Sequence, residues 1–130
     1  MDDGFAEVRA DTIRLELRLL AAEALRAASR DLGMDPPAIR WFTGTPPDGW
    51  ASTRWSADER VQGFVPPTRP ATVWIASALN RHFIPRIVAH EVKHAHQLEV
   101  LSDEDLGNAA NESAARRFER EFARRNEWRW

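Results

Sequence analysis

Apolar residues near the start of the chain recur at three-to-five spacing: Phe5, Val8, Ile13, Leu17, Leu20 and Leu25. Glu and Arg fill the intervals, so the pattern predicts an amphipathic helix from Phe5 to about Leu32 that covers one side of a core. Gly33 and the Pro36-Pro37 pair stop it. Between Pro36 and Ala76 the texture changes to short aromatic and β-branched runs: AIRWF (38–42), WASTRW (50–55), RVQGFV (60–65) and TVWIA (72–76). Bounded by Pro, Gly and Asp, these runs read as strands joined by turns, with TPPDG at 45–49 a strong turn signal, and they predict a sheet of three or four strands. Helical periodicity returns at Pro85, a residue tolerated in a first turn, and a helix is expected from about 82–85 to Val100. Ser102, followed by Asp103, Glu104 and Asp105, has the chemistry of an N-cap for a further helix. Gly107-Asn108 would interrupt that helix before AANESAARRFEREFARR carries it to about Arg125. The expected fold class is therefore α+β: an N-terminal helix, a three- to four-stranded sheet, the helix through residues 89–97 and a C-terminal helix.

At 130 residues, with 43% apolar and 29% charged positions, the chain fits one globular domain spanning 1–130. Its formal charge of -2 gives the molecule no electrostatic attraction to nucleic acid or to an anionic membrane. The basic C-terminus RRFEREFARRNEWRW does not change that. Phe118 and Phe122 are spaced as a core stripe, and the arginines alternate with Glu119 and Glu121 as on a solvated helix face. No apolar run reaches the ~20 residues of a membrane span, and the acidic, charge-interrupted start is not a signal peptide. A cytoplasmic location is expected. The absence of cysteine excludes disulfides and thiolate metal ligands.

The chemistry concentrates in AHEVKHAHQ, residues 89–97, which holds three of the chain's four histidines. On a helix His90 and His94 lie one turn apart on the same face, so both imidazoles can address one metal ion. Glu91 flanks that ion and can reach a water in an open coordination position. This is the H-E-x-x-H arrangement, in which two histidines hold zinc and the glutamate is a general base. His96, two positions beyond His94, points to the other side of the helix and is expected at the surface.

A hydrolytic zinc site needs a third protein ligand. The metzincin option, a further histidine behind a glycine, is excluded because Val100 and Gln97 occupy those places. Asp103 or Asp105 would serve only after a tight turn, and their crowding at a helix start suggests capping. Glu112, 18 residues past His94, is the remaining candidate: the interval lets the chain reverse and a second helix return past the metal.

NESAA after HEVKH resembles the gluzincins, thermolysin-like zinc peptidases whose third ligand is a glutamate on a second helix. ESAARRFEREF (112–122) is similar to the ExxAxxFA pattern that follows HExxH in the ImmA/IrrE zinc peptidases. The order QGFV, VWIAS, a basic helix start and HExxH resembles both those proteins and the minigluzincins, and the resemblance covers about residues 60–122. It implies a Zn2+ ion held by His90, His94 and Glu112, and peptide-bond hydrolysis with Glu91 as the base. It also implies a peptide or protein substrate, in some relatives a single regulatory protein, laid along the edge strand nearest the metal, here expected in TVWIA. Trp74 on that strand is expected to be core.

Two departures stand out. Arg116 occupies the place of an aspartate that orients the first histidine in thermolysin, so what fixes the His90 tautomer is open. The chain has no tyrosine, which leaves His82, His96 and nearby arginines as donors to a developing oxyanion. The same residues also allow a non-catalytic zinc-binding regulatory or interaction module on this fold, or a histidine-rich helix that takes up metal adventitiously.

Overall fold

The computed structural model describes residues 4–47, 61–103, 105–106 and 108–126. The expected strand at 50–55 and the end of the turn at 45–49 lie outside the described residues. In chain order the elements are β1 (Ala6–Val8), a 3-10 turn (Ala10–Thr12), α1 (Leu15–Asp31), β2 (Ala38–Thr43), β3 (Gly63–Phe64), β4 (Thr72–Ala76), α2 (Ile84–Glu99) and α3 (Ala109–Asn126). Helices and a mixed sheet make this an α+β architecture.

The N-terminal helix is shorter than its apolar spacing suggests. Residues 6–8 form a strand that pairs antiparallel with β2, Glu7 opposite Phe42, and α1 begins only at Leu15. Phe5 and Val8 are spaced for a helix, but two residues cannot arbitrate the period. Tertiary contacts decide instead, since Phe5 packs its ring against Phe42, Phe64 and Trp74. α1 ends as expected at Gly33, whose φ of 66° lets its N–H return to the Arg30 carbonyl and that of Met34 to Ser29. A side chain would resist that left-handed turn.

The sheet order is β1-β2-β4-β3. β2 and β4 run parallel, with Trp41 opposite Ile75, and β3 joins β4 antiparallel, with Phe64 opposite Trp74. Alternation along each strand sorts two faces. Trp41, Val73 and Ile75 meet the helices in the main core, while Phe42, Phe64 and Trp74 form a second cluster on the other face. Trp74 is thus core, as expected. Its strand, however, is not an edge: β4 lies between β2 and β3, and among the described residues the sheet edge beside α2 is β3. The local cause is Gly63-Phe64, part of the RVQGFV run expected to be a strand, which pairs with Ile75 and Trp74 of β4; the run is legible in the sequence but its pairing partner is not.

α2 is buried around most of its circumference, by the sheet, by the small side chains Ala21, Ala24 and Ala28 of α1, and by α3. No helix among the described residues is long and apolar enough to cross a membrane. The connection from α2 to α3 corrects another expectation. Ser102 does not cap a helix; it takes a left-handed φ of 55° as the Leu101 and Asp103 N–H groups turn back onto the carbonyls of His96 and Gln97. The helix starts later, where Asn108 Oδ1 accepts the Asn111 N–H at 2.8 Å. Asp103 closes this loop by accepting from the Asp105 N–H and from the Asn111 side chain.

Candidate metal centre

α2 and α3 lie antiparallel, as the ladder of contacts Arg86–Glu119, His90–Glu112, His94–Glu112 and Gln97–Asn111 requires. That arrangement brings Glu112, in the first turn of α3, over the middle of α2. Its Oε1 lies 2.9 Å from His90 Nε2 and its Oε2 lies 3.2 Å from His94 Nε2. The ligand atoms of His90, His94 and Glu112 all fall within 4.8 Å of one another, a group that could hold a metal ion. Neither Asp103 nor Asp105 joins them.

The far edges of both imidazoles are fixed. His90 Nδ1 is 2.9 Å from Glu119 Oε1, and a carboxylate can only accept, so Nδ1 carries the hydrogen. His94 Nδ1 is 2.8 Å from Gln97 Oε1. The Gln97 amide is itself oriented, because its Nε2 donates to the Asn111 carbonyl at 2.9 Å. His94 must therefore also donate from Nδ1. Both Nε2 lone pairs then face the Glu112 carboxylate oxygens across hydrogen-bond distances. Lone pairs facing lone pairs repel, so this geometry demands positive charge between them, either protons or a metal cation. The donor set, two imidazole nitrogens and a carboxylate, suits zinc and its borderline neighbours.

Without a metal, protons fill that role. Burial opposes a charge on His90, yet hydrogen bonds to Glu112 and Glu119 and the charge of Glu91 outweigh it and raise its pKa from 6.5 to about 10. Burial would raise the Glu112 carboxyl, but hydrogen bonds from His90 and His94 and their charges hold it far below the usual carboxylate range.

Glu119 and Gln97 were not legible as site residues; Glu119 in particular reads as one acid of a solvated face. A signal existed. Glu119 is two helical turns from Glu112 and so shares its face, and Gln97 is one turn from His94. Glu119 thereby supplies the carboxylate that Arg116 cannot, and it is steadied in turn by Arg86 Nε at 3.2 Å. Replacing Glu119 with Gln is expected to weaken metal binding about 10- to 100-fold, the usual cost of losing such a partner. Competition with a chromophoric chelator measures this, with Glu121→Gln on the exposed side of α3 as a control expected to change nothing.

Glu91 sits on the sheet-facing side of α2, only 6% exposed. Burial raises its pKa above the ordinary value, and the charges of His90 and His94 oppose that rise without cancelling it. Its stem lies on the backbone of Gly63: a Cβ there would stand 3.0 Å from Glu91 Cγ and 2.9 Å from Ile87 Cγ2. Glycine at this position is what lets strand β3 press directly against the acid. His82, by contrast, is exposed ahead of α2. His96 lies away from the cluster and is half-buried rather than at the surface, with Nδ1 meeting no hydrogen-bond partner among the described residues; burial and the nearby Lys93 charge lower its pKa.

No protein-family description, curated protein or solved structure matches this chain.

Proposed function

We propose that the chain is a zinc-dependent peptidase of the gluzincin, minigluzincin-like type, with His90, His94 and Glu112 as metal ligands and Glu91 as general base. The observation that carries this reading is a buried carboxylate with a raised pKa beside a three-donor group that gains no fourth His, Asp or Glu among the described residues. A structural zinc site closes its fourth position with protein, whereas a catalytic one leaves it to solvent or substrate.

When bound, zinc would contribute Lewis acidity, making water more acidic and polarising a carbonyl. The chain's own groups do the rest. Glu91 accepts the proton of the attacking water and delivers it to the leaving amine nitrogen as the C–N bond breaks, a task suited to a buried carboxylate whose pKa is raised above its ordinary value. Glu119 and Gln97 hold the two imidazoles in the tautomer that presents Nε2. An extended peptide adds to the side of β3 that no described residue pairs with, on the strand that touches Glu91 through Gly63. The same site would serve a single protein substrate or a range of peptides.

Metal analysis of protein purified without a histidine tag tests the ligand set. One zinc per chain is expected, reduced to a small fraction in His90→Ala under the same conditions. Wild-type protein that binds no zinc, or a variant that keeps it, would sink the assignment. Full zinc occupancy with no hydrolysis of any peptide or protein offered would favour a regulatory module on the same site.

A further inference from the structure

We propose that Arg116 donates to the oxyanion: its guanidinium hydrogen-bonds the scissile carbonyl oxygen as that oxygen gains negative charge. This rests on the peptidase reading above and adds to it the group that stabilises the charge.

Peptide hydrolysis needs such a donor, and the chain contains no tyrosine to supply it. His82 is exposed in the turn ahead of α2, outside the group of converging donors, and His96 lies away from the cluster with a buried Nδ1. Arg86 is committed to Glu119, which holds the Nδ1 edge of His90 and not the Nε2 edge where the donors converge. Arg116 is placed differently. Its Nε is 3.5 Å from Glu112 Oε1, the same oxygen that approaches His90 Nε2.

The Arg116–Glu112 pair is too long for a good hydrogen bond, and the Arg116 side chain is 65% exposed. Its contribution to stability is therefore slight. The terminal nitrogens of Arg116 form no hydrogen bond to any described residue, which leaves the planar fork free to serve a substrate oxygen. In the step itself, the water oxygen bonds to the carbonyl carbon and the C=O π pair moves onto the carbonyl oxygen. The water proton passes to Glu91 and then to the nitrogen. The oxyanion pair re-forms C=O, and the C–N bond breaks with its pair leaving on nitrogen, giving a carboxyl group and a free amine. Arg116 keeps its protons throughout and only donates hydrogen bonds.

The test uses zinc-loaded wild type, Arg116→Ala and Arg116→Lys, titrated calorimetrically with an N-phosphoryl-leucyl peptide amide and with its neutral N-acetyl counterpart. The phosphoryl group presents tetrahedral anionic oxygens; the acetyl group does not. The phosphoryl probe is expected to bind wild type more tightly than the acetyl probe and to lose about 100-fold in Arg116→Ala, in line with the loss of one oxyanion donor. Acetyl-probe affinity and zinc content stay unchanged, and Arg116→Lys recovers part of the loss. An unchanged phosphoryl affinity, an equal loss for both probes, or loss of zinc from Arg116→Ala overturns the donor assignment alone. Wild type that shows no preference for the phosphoryl probe overturns the peptidase reading and this inference with it.

Discussion

Glu91→Gln is expected to leave the zinc content at its wild-type level while lowering peptide hydrolysis by about 100- to 10,000-fold, the range over which a positioned general base contributes. The two halves of this result have separate causes. Metal content holds because Glu91 is not among the converging donors, and glutamine keeps the shape that fits against Gly63. Activity falls because an amide cannot take a proton from water near neutral pH.

A third consequence distinguishes a catalytic acid from a structural one. Glu91 is buried, and burial raises its pKa, so its charge costs the fold stability that a neutral isostere would return. Urea unfolding of Glu91→Gln is expected to give a midpoint at or above that of wild type. A residue kept for stability would behave in the opposite way. Hydrolysis within a few fold of wild type would remove Glu91 from the mechanism.

The parts of this site that could be read in the sequence are those set by local geometry. His90, Glu91 and His94 belong to one helix, and Pro85 marks where that helix starts. Glu112 follows from the distance a chain needs to reverse and return. The parts that could not be read are those that depend on which surfaces meet. Glu119 looks solvated until α3 is laid antiparallel on α2, and only then does it reach His90 Nδ1. Gln97 becomes a site residue only because the Asn111 carbonyl fixes its amide.

The same holds for the fold. The strand at Ala6–Val8 is stabilised by β2 and by the Phe5 ring contacts, neither of which a helical spacing rule can weigh. β3 owes its close approach to α2 to Gly63, whose missing side chain matters only once α2 is against it. In physical terms, periodicity reports the face that a segment buries, and pairing decides what that face is buried against.

Glu112→Ala tests the α2–α3 junction itself, in protein stripped of metal by a chelator. There the carboxylate joins two largely buried imidazoles, and removing one partner of a buried ion pair costs about 3–5 kcal/mol. The pH window follows from the direction of each shift. His90 is raised from 6.5 to about 10, so its stabilisation is complete below about pH 6.5 and is lost as pH climbs through 10. Glu112 is depressed from 4.5, so its stabilisation is present above that value and is lost as pH falls well below it. Wild type should therefore exceed Glu112→Ala in urea unfolding by the full amount near pH 5.5, and the gap should shrink progressively as pH rises from about 6.5 through 10. Zinc inverts the trend, because a ligated imidazole must be free of its Nε2 proton and metal binding strengthens as pH rises. A difference between the two stripped proteins that stayed flat from pH 5.5 to above 10 would mean that no shared proton bridges the helices. The lone pairs at Nε2 and Glu112 would then need no cation between them, and the site would have no structural reason to hold a metal.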